Sequence, residues 1–232
     1  MCIRDRCCPL PTAYLSAHTA FPELGKAAFL DLTRELEQTQ EHWAALGVAL
    51  DAVYSGFIGS AGQIAAIRRF YERFRGADTV VLCDPVMGDG GRPYRTYTPD
   101  MCRAMGELAA LADVITPNLT EAALLLGEEY ADAPGSETAA RAWLERLSRD
   151  GRRSVVLTGL SFTGGEIGAG YFDAADGRTG FAMARQEPAH FPGTGDLFAS
   201  VVLGSLLRGE ALCSGVRKAV EFVQRCARHT LA

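Results

Sequence analysis

Lysine is nearly missing from this chain. It stands only at positions 26 and 218, so arginine carries almost all the positive charge. Even so, the 23 basic residues are outnumbered by 28 acidic ones, giving a net charge of −5 and a sequence pI near 5.4. That balance argues against nucleic acid or an anionic membrane surface as a partner. No apolar run approaches the length of a membrane span. The opening Met1-Cys2-Ile3-Arg4-Asp5-Arg6 also lacks the apolar core of a secretory signal. The seven cysteines form no C-x-x-C pair and are odd in number. They suit free thiols in a reducing cytoplasm better than a disulfide or zinc framework. There is no G-x-x-x-x-G-K-[ST], which removes a Walker-type NTPase from the readings. Nor is there a linker, an internal repeat or a low-complexity tract, so residues 1–232 read as a single domain. With 48% hydrophobic residues and a mean hydropathy of +0.03, that domain can bury a large core.

Short β-branched runs alternate with longer helical patterns. Residues 51–55, 79–83, 113–116 and 154–158 read as strands. Helical spacing marks 61–74 (Ile64, Ile67, Phe70), 99–111 with Pro99 in its first turn, and 137–149. Thr120 is expected to cap a helix over 121–126 that ends at Gly127. Residues 167–172 and 179–183 read as a hairpin turning through Asp176-Gly177. Ser214 is expected to cap a last helix bearing Val216, Val220 and Val223, and Trp43 and Trp143 fall on helical patterns as packing residues. Repeated strand–helix units of this kind predict an α/β fold with a mainly parallel sheet covered on both faces.

Ligands of such sheets bind beyond the carboxyl ends of the strands. Polar or glycine-rich residues follow each predicted strand: 84–91, 116–121, Thr158-Gly159 and Gly193-Thr194-Gly195-Asp196. In the last of these, two glycines let backbone N–H groups approach a ligand closely. The apolar run 197–203 behind them reads as a buried helix whose N-terminus favours an anion. A carboxylate placed there has two readings: Asp196 is a general base beside a bound phosphate, or it is a helix cap. Asp89 and Glu121 are candidates for a magnesium–phosphate unit, since hard cations take a few carboxylates plus waters. Their plainer readings are a glycine-turn residue and a first-turn helix residue.

Asp84-Pro85-Val86-Met87-Gly88-Asp89, Thr116-Pro117-Asn118 with Glu121, and Gly193-Thr194-Gly195-Asp196 together resemble the ribokinase-like superfamily. More narrowly, they resemble its pyridoxal/pyridoxamine kinase branch. The segment 8–19 is similar to that branch's early substrate-side strand and loop, and the likeness runs from Cys7 to Ala232. The fold it implies is a three-layer α/β sandwich about a mainly parallel sheet. The activity it implies is ATP-dependent phosphorylation of the 5′-hydroxymethyl of pyridoxal, pyridoxamine or pyridoxine. By this resemblance Asp196 is the base, and the Gly193, Thr194 and Gly195 amides stabilise the transferring group. Asp89 and Glu121 handle Mg2+. Asp84, Thr116, Asn118, Thr158, Gly159, Thr194 and Phe191 address ATP, the last within the stretch 187–191. Thr19, His18 and Phe57 meet the substrate ring; Phe57 stands where relatives often place tyrosine, and its competing reading is core at a strand end. Arg92, in the loop 91–94, reads either as a phosphate contact on a mobile cover or as a solvated residue. Relatives are commonly homodimers of the cytoplasm.

Hydroxymethylpyrimidine kinases of thiamine synthesis share much of this pattern and form the alternative activity. The branch begins with a strand, a turn and a helix ahead of the Cys8-Pro9 segment. The expectation here is a fragment whose first strand unit is missing, whose residues 1–6 are foreign, and whose C-terminus stops early. A third reading follows: an inactive chain that at most binds nucleotide or vitamer.

Overall fold

The computed structural model describes residues 7–16, 28–189 and 191–231. The chain opens with an antiparallel pair, β1 (Ala13–Leu15) and β2 (Phe29–Asp31), and then α1 (Thr33–Ala45). Next come β3 (Ala52–Ser55), α2 (Ala61–Phe74) and β4 (Val80–Cys83). A small hairpin, β5 (Gly88–Asp89) and β6 (Arg92–Pro93), precedes α3 (Pro99–Ala109), β7 (Val114–Ile115) and α4 (Leu119–Leu126). After one 3-10 turn at Tyr130–Asp132 follow α5 (Glu137–Ser148), β8 (Ser154–Leu160), β9 (Glu166–Phe172) and β10 (Thr179–Arg185). Helices α6 (Thr194–Leu207) and α7 (Leu212–Leu231) complete the described fold.

Six strands form the main sheet in the order β10-β9-β8-β7-β4-β3. The four strands from β3 to β8 run parallel, and β9 and β10 return antiparallel. Strand alternation assigns the two faces. Val53, Val81, Cys83, Ile115, Val155 and Leu157 point into one buried cluster with side chains of α1 to α5. Their neighbours Leu82, Val114 and Val156 point into another, with Phe198, Ala199 and Val202 of α6 and Val216, Ala219 and Val220 of α7. Two apolar layers on one sheet make the three-layer sandwich that the motifs implied.

Most helix ends follow the sequence. The Ser60, Thr98 and Ser136 hydroxyls accept the N–H groups of Gln63, Met101 and Ala139, and Pro99 opens α3. Gly127 ends α4 in the left-handed region at φ 68°. Trp43 meets Phe70 and Phe74 edge-on, and Trp143 is buried.

Other boundaries differ from expectation. Asn118 rather than Thr120 caps α4, because the Asn118 side chain reaches Glu121 N at 2.9 Å while the Thr120 hydroxyl accepts Gly91 N. Helix α7 starts at Leu212, so Ser214 lies within its first turn and is not its cap. Helix α3 ends at Ala109, with 110–111 in the closing turn. Strand β8 continues past 158: Gly159, at φ 78°, makes a bulge between Thr158 and Leu160, and pairing with β9 resumes beyond it.

Candidate active site

The loops at the carboxyl ends of β4, β7 and β8 and the N-terminus of α6 converge on one edge of the sheet. Gly193 is the N-cap residue of α6, at φ 83° and ψ 3°, and among the described residues no side chain caps the helix. Asp196 sits in the first turn, three residues beyond the cap position, so the cap reading is set aside. The N–H groups of Thr194, Gly195 and Asp196 precede the first intrahelical bond, which runs from Leu197 N to Gly193 O. Unbonded N–H groups with the helix dipole behind them favour an anion.

The Asp196 carboxylate is exposed, and its Oδ1 accepts the Tyr54 hydroxyl at 3.2 Å. Asp84, at the end of β4, is buried beneath it; a Cβ built on Gly195 would stand 3.8 Å from Asp84 Oδ2. Burial pushes the Asp84 carboxyl up to about 7, and the charge of Asp196 pushes the same way. The Thr116 hydroxyl is buried near the Asp84 carboxyl, whose rise it partly offsets, but makes no hydrogen bond of good geometry among the described residues. A buried hydroxyl at a strand end is satisfied by a water, an ion or a phosphate oxygen.

Asn118 and Glu121 form a reciprocal capping box: Asn118 Oδ1 accepts Glu121 N, and Glu121 Oε2 accepts Asn118 N, both at 2.9 Å. Glu121 Oε1 accepts Met87 N at 3.1 Å, and Asn118 Nδ2 donates to Gly88 O at 2.9 Å. The start of α4 therefore fastens the β5–β6 hairpin, which carries exposed Asp89 opposite Arg92. Gly91 lies against the Tyr130 ring, where a Cβ would come within 2.6 Å. Glu121 is buried, which pushes its carboxyl well above the usual range, with the nearby charge of Asp84 adding to the effect.

Among the described residues no group of three His, Cys, Asp or Glu side chains is arranged to hold a metal ion. A magnesium ion that keeps most of its waters needs few protein ligands, and of the two carboxylates expected to meet it only Asp89 is open to such an ion. Asp89 faces solvent, whereas the Glu121 carboxyl is buried and already accepts backbone N–H groups of Met87 and Asn118.

On the β8 side, Thr158 N donates to Pro117 O at 2.9 Å, and Asn118 bridges to Thr158, so the two predicted nucleotide segments are joined. Phe191 is half-buried, and Glu187 pairs with Arg228 at 3.5 Å. Phe57 is half-buried two residues beyond β3, belongs to neither buried cluster, and accepts the Thr12 hydroxyl at its carbonyl. His18 and Thr19 lie outside the described residues. Tyr54 is the site residue that the sequence reading missed. Its only signal there is a phenol next to last in a strand of otherwise small residues.

Six cysteines among the described residues are free thiols. No helix among the described residues is long and apolar enough to cross a membrane.

The phosphomethylpyrimidine kinase family matches residues 9–232. A pyridoxal kinase PdxY of Deinococcus radiodurans is 36% identical over 165 residues, covering 68% of this chain and 55% of that protein. A hydroxymethylpyrimidine/phosphomethylpyrimidine kinase of Rhizobium meliloti is 31% identical over 214 residues, covering 90% of this chain and 76% of that protein. A crystal structure of a putative phosphomethylpyrimidine kinase from Bacteroides thetaiotaomicron with pyridoxal superposes at a TM-score of 0.90. It is 37% identical and covers 97% of this chain and 78% of that one. This chain thus spans little more than half the length of the Deinococcus relative. With the family matched over nearly the whole chain and the three-layer fold in place, the chain belongs to the phosphomethylpyrimidine kinase family, within the ribokinase-like superfamily that its motifs resembled.

Proposed function

We propose that this chain transfers the γ-phosphoryl group of ATP to the 5′-hydroxymethyl of a B6 vitamer, with Asp196 as general base. The observation that carries the reading is the exposed Asp196 carboxylate in the first turn of a helix whose N-terminus carries no side-chain cap among the described residues. A base and an anion site within one turn suit an alcohol attacking a phosphate. The hydroxyl oxygen bonds to the γ-phosphorus as its proton passes to Asp196. The bond from that phosphorus to the bridging oxygen breaks, and ADP leaves. The Gly193, Thr194 and Gly195 backbone supplies donors already aimed at the charge, so little reorganisation is needed.

Thr116, Asn118, Thr158, Gly159 and Phe191 line the proposed nucleotide side, and buried Asp84 lies beneath Asp196. Asp89, on the hairpin that Glu121 helps to fasten, would hold magnesium, which when bound neutralises charge on the phosphates. Phe57, Thr19 and His18 are the proposed ring contacts. Arg92 on the hairpin and the α6 amides supply positive charge in a chain nearly without lysine. The same reading takes the enzyme to be a cytoplasmic homodimer, on the strength of the resemblance and the free thiols.

The vitamer reading leans on the likeness to the Deinococcus pyridoxal kinase and to the Bacteroides structure with pyridoxal. The phosphomethylpyrimidine kinase family and the Rhizobium relative favour hydroxymethylpyrimidine as the second acceptor. A panel of pyridoxal, pyridoxamine, pyridoxine and hydroxymethylpyrimidine with magnesium-ATP tests the choice. A kcat/KM for a vitamer well above that for the pyrimidine supports the first reading, and the reverse order replaces it with the second.

A further inference from the structure

Strand β3 sends Val53 and Ser55 to one face of the sheet and Tyr54 to the other, beside Leu82 and the α6–α7 cluster. The Tyr54 ring is packed against that cluster. Its hydroxyl emerges at the carboxyl end of the sheet and donates to Asp196 Oδ1 at 3.2 Å. Gly56 passes beside the pair: a Cβ there would lie in ordinary contact with both, 3.4 Å from the phenol oxygen and 3.7 Å from Asp196 Oδ1. Asp196 itself is exposed on the first turn of α6, and among the described residues the Tyr54 hydroxyl is the hydrogen-bond donor to its side chain. A free carboxylate in that position would exchange among rotamers.

Resting on the phosphotransfer reading, we propose that Tyr54 is the positioning residue of the base: its hydroxyl holds Asp196 Oδ1 and leaves Oδ2 to take the acceptor's proton. A base must lie within hydrogen-bond reach of the proton it removes. A rigid donor on one carboxylate oxygen selects the rotamer in which the other meets that condition. Burial, with the charges of Asp84 and Asp196, raises the Tyr54 phenol well above its ordinary value, so it remains a donor throughout the working pH range. Tyr54 touches neither substrate nor phosphate in this account and acts only through Asp196.

Tyr54→Phe keeps the packed ring and removes the hydroxyl. On the preferred acceptor it should lower kcat about tenfold and leave both KM values unchanged, as expected when a residue acts only on the chemical step. In an Asp196→Asn background, Tyr54→Phe should have no further effect, the non-additivity expected of groups acting as a unit. An equal loss in both backgrounds, or a loss confined to KM, overturns the proposal.

A readout that needs no turnover is 19F NMR of the chain labelled with 3-fluorotyrosine. The Tyr54 signal is assigned by its disappearance in Tyr54→Phe and should move in Asp196→Asn. A signal that stays in place shows that the contact does not form and also overturns the proposal. If the parent chain phosphorylates nothing on the panel, the phosphotransfer reading fails and takes the positioning role with it. A parent that is active while Tyr54→Phe matches it refutes the positioning role alone.

Discussion

Gly193→Ala separates the anion site from simple backbone strain. Gly193 has φ 83°, and a Cβ there meets nothing within 4 Å, so alanine would clash with no neighbour. The cost is conformational: about 1–2 kcal/mol for a side chain in the left-handed region. It is offset by roughly 0.4–1 kcal/mol from the stiffer unfolded chain. A net loss of about 1 kcal/mol lowers Tm by about 2–4 °C in a domain of this size. Gly209, beyond the far end of α6, supplies the matched control, with φ 73° and the same open surroundings. Both variants should lose similar Tm in a thermal melt. Only Gly193→Ala should also lose kcat, because relaxing its φ turns the Thr194 and Gly195 amides away from the phosphate. Removing one such donor from a preorganised hole costs up to about 10²–10³ in rate, and at least a tenfold loss is expected here. Equal Tm losses with kcat unchanged in both variants would refute the role of the α6 amides.

Other consequences follow from the surroundings. Asn118→Ala removes the α4 cap and the bond to Gly88 O together. It should cost about 1–2 kcal/mol in denaturant unfolding, and it should raise KM for magnesium-ATP by loosening the hairpin that carries Asp89. Asp84, raised to about 7 in the folded state from an ordinary carboxyl value when unfolded, gives stability a sign with pH. Between those values the native state holds the extra proton, so Asp84 subtracts stability as pH rises from about 4 to 7 and subtracts it fully above that range. Asp84→Asn should therefore gain stability over the parent at pH 8 and lose that advantage at pH 4; an advantage independent of pH would contradict the assignment.

The layers and the site edge were legible in the sequence because they rest on local rules. Alternation in runs such as Val80-Val81-Leu82-Cys83 gives both faces of a buried strand, and Pro99, Ser136 and Gly127 punctuate their helices by backbone chemistry. Thr120 and Asn118 are both plausible caps by type. Only the approach of Gly91 N to the Thr120 hydroxyl, from 29 residues away in sequence, decides between them. The extension of β8 beyond Thr158 was hidden because Gly159 reads as a strand end until the pairing across its bulge is seen. Strand β2 escaped, β1 came only through the resemblance of segment 8–19 and α1 only as a helical pattern about Trp43, because the exposed β1–β2 pair carries little core pattern. Tyr54 was out of reach for a similar reason: its bond to Asp196 spans 142 residues, and nothing local distinguishes a phenol that packs from one that also holds a carboxylate.

The most direct test of the account is the rate of Asp196→Asn against the parent on the preferred acceptor with saturating magnesium-ATP. Asparagine keeps the shape and can still accept the Tyr54 hydroxyl, but it cannot take a proton. General base catalysis is worth about 10²–10⁴ in rate, so a kcat loss of that order is predicted, with KM for magnesium-ATP unchanged. An Asp196→Asn variant that turns over as fast as the parent would contradict the account.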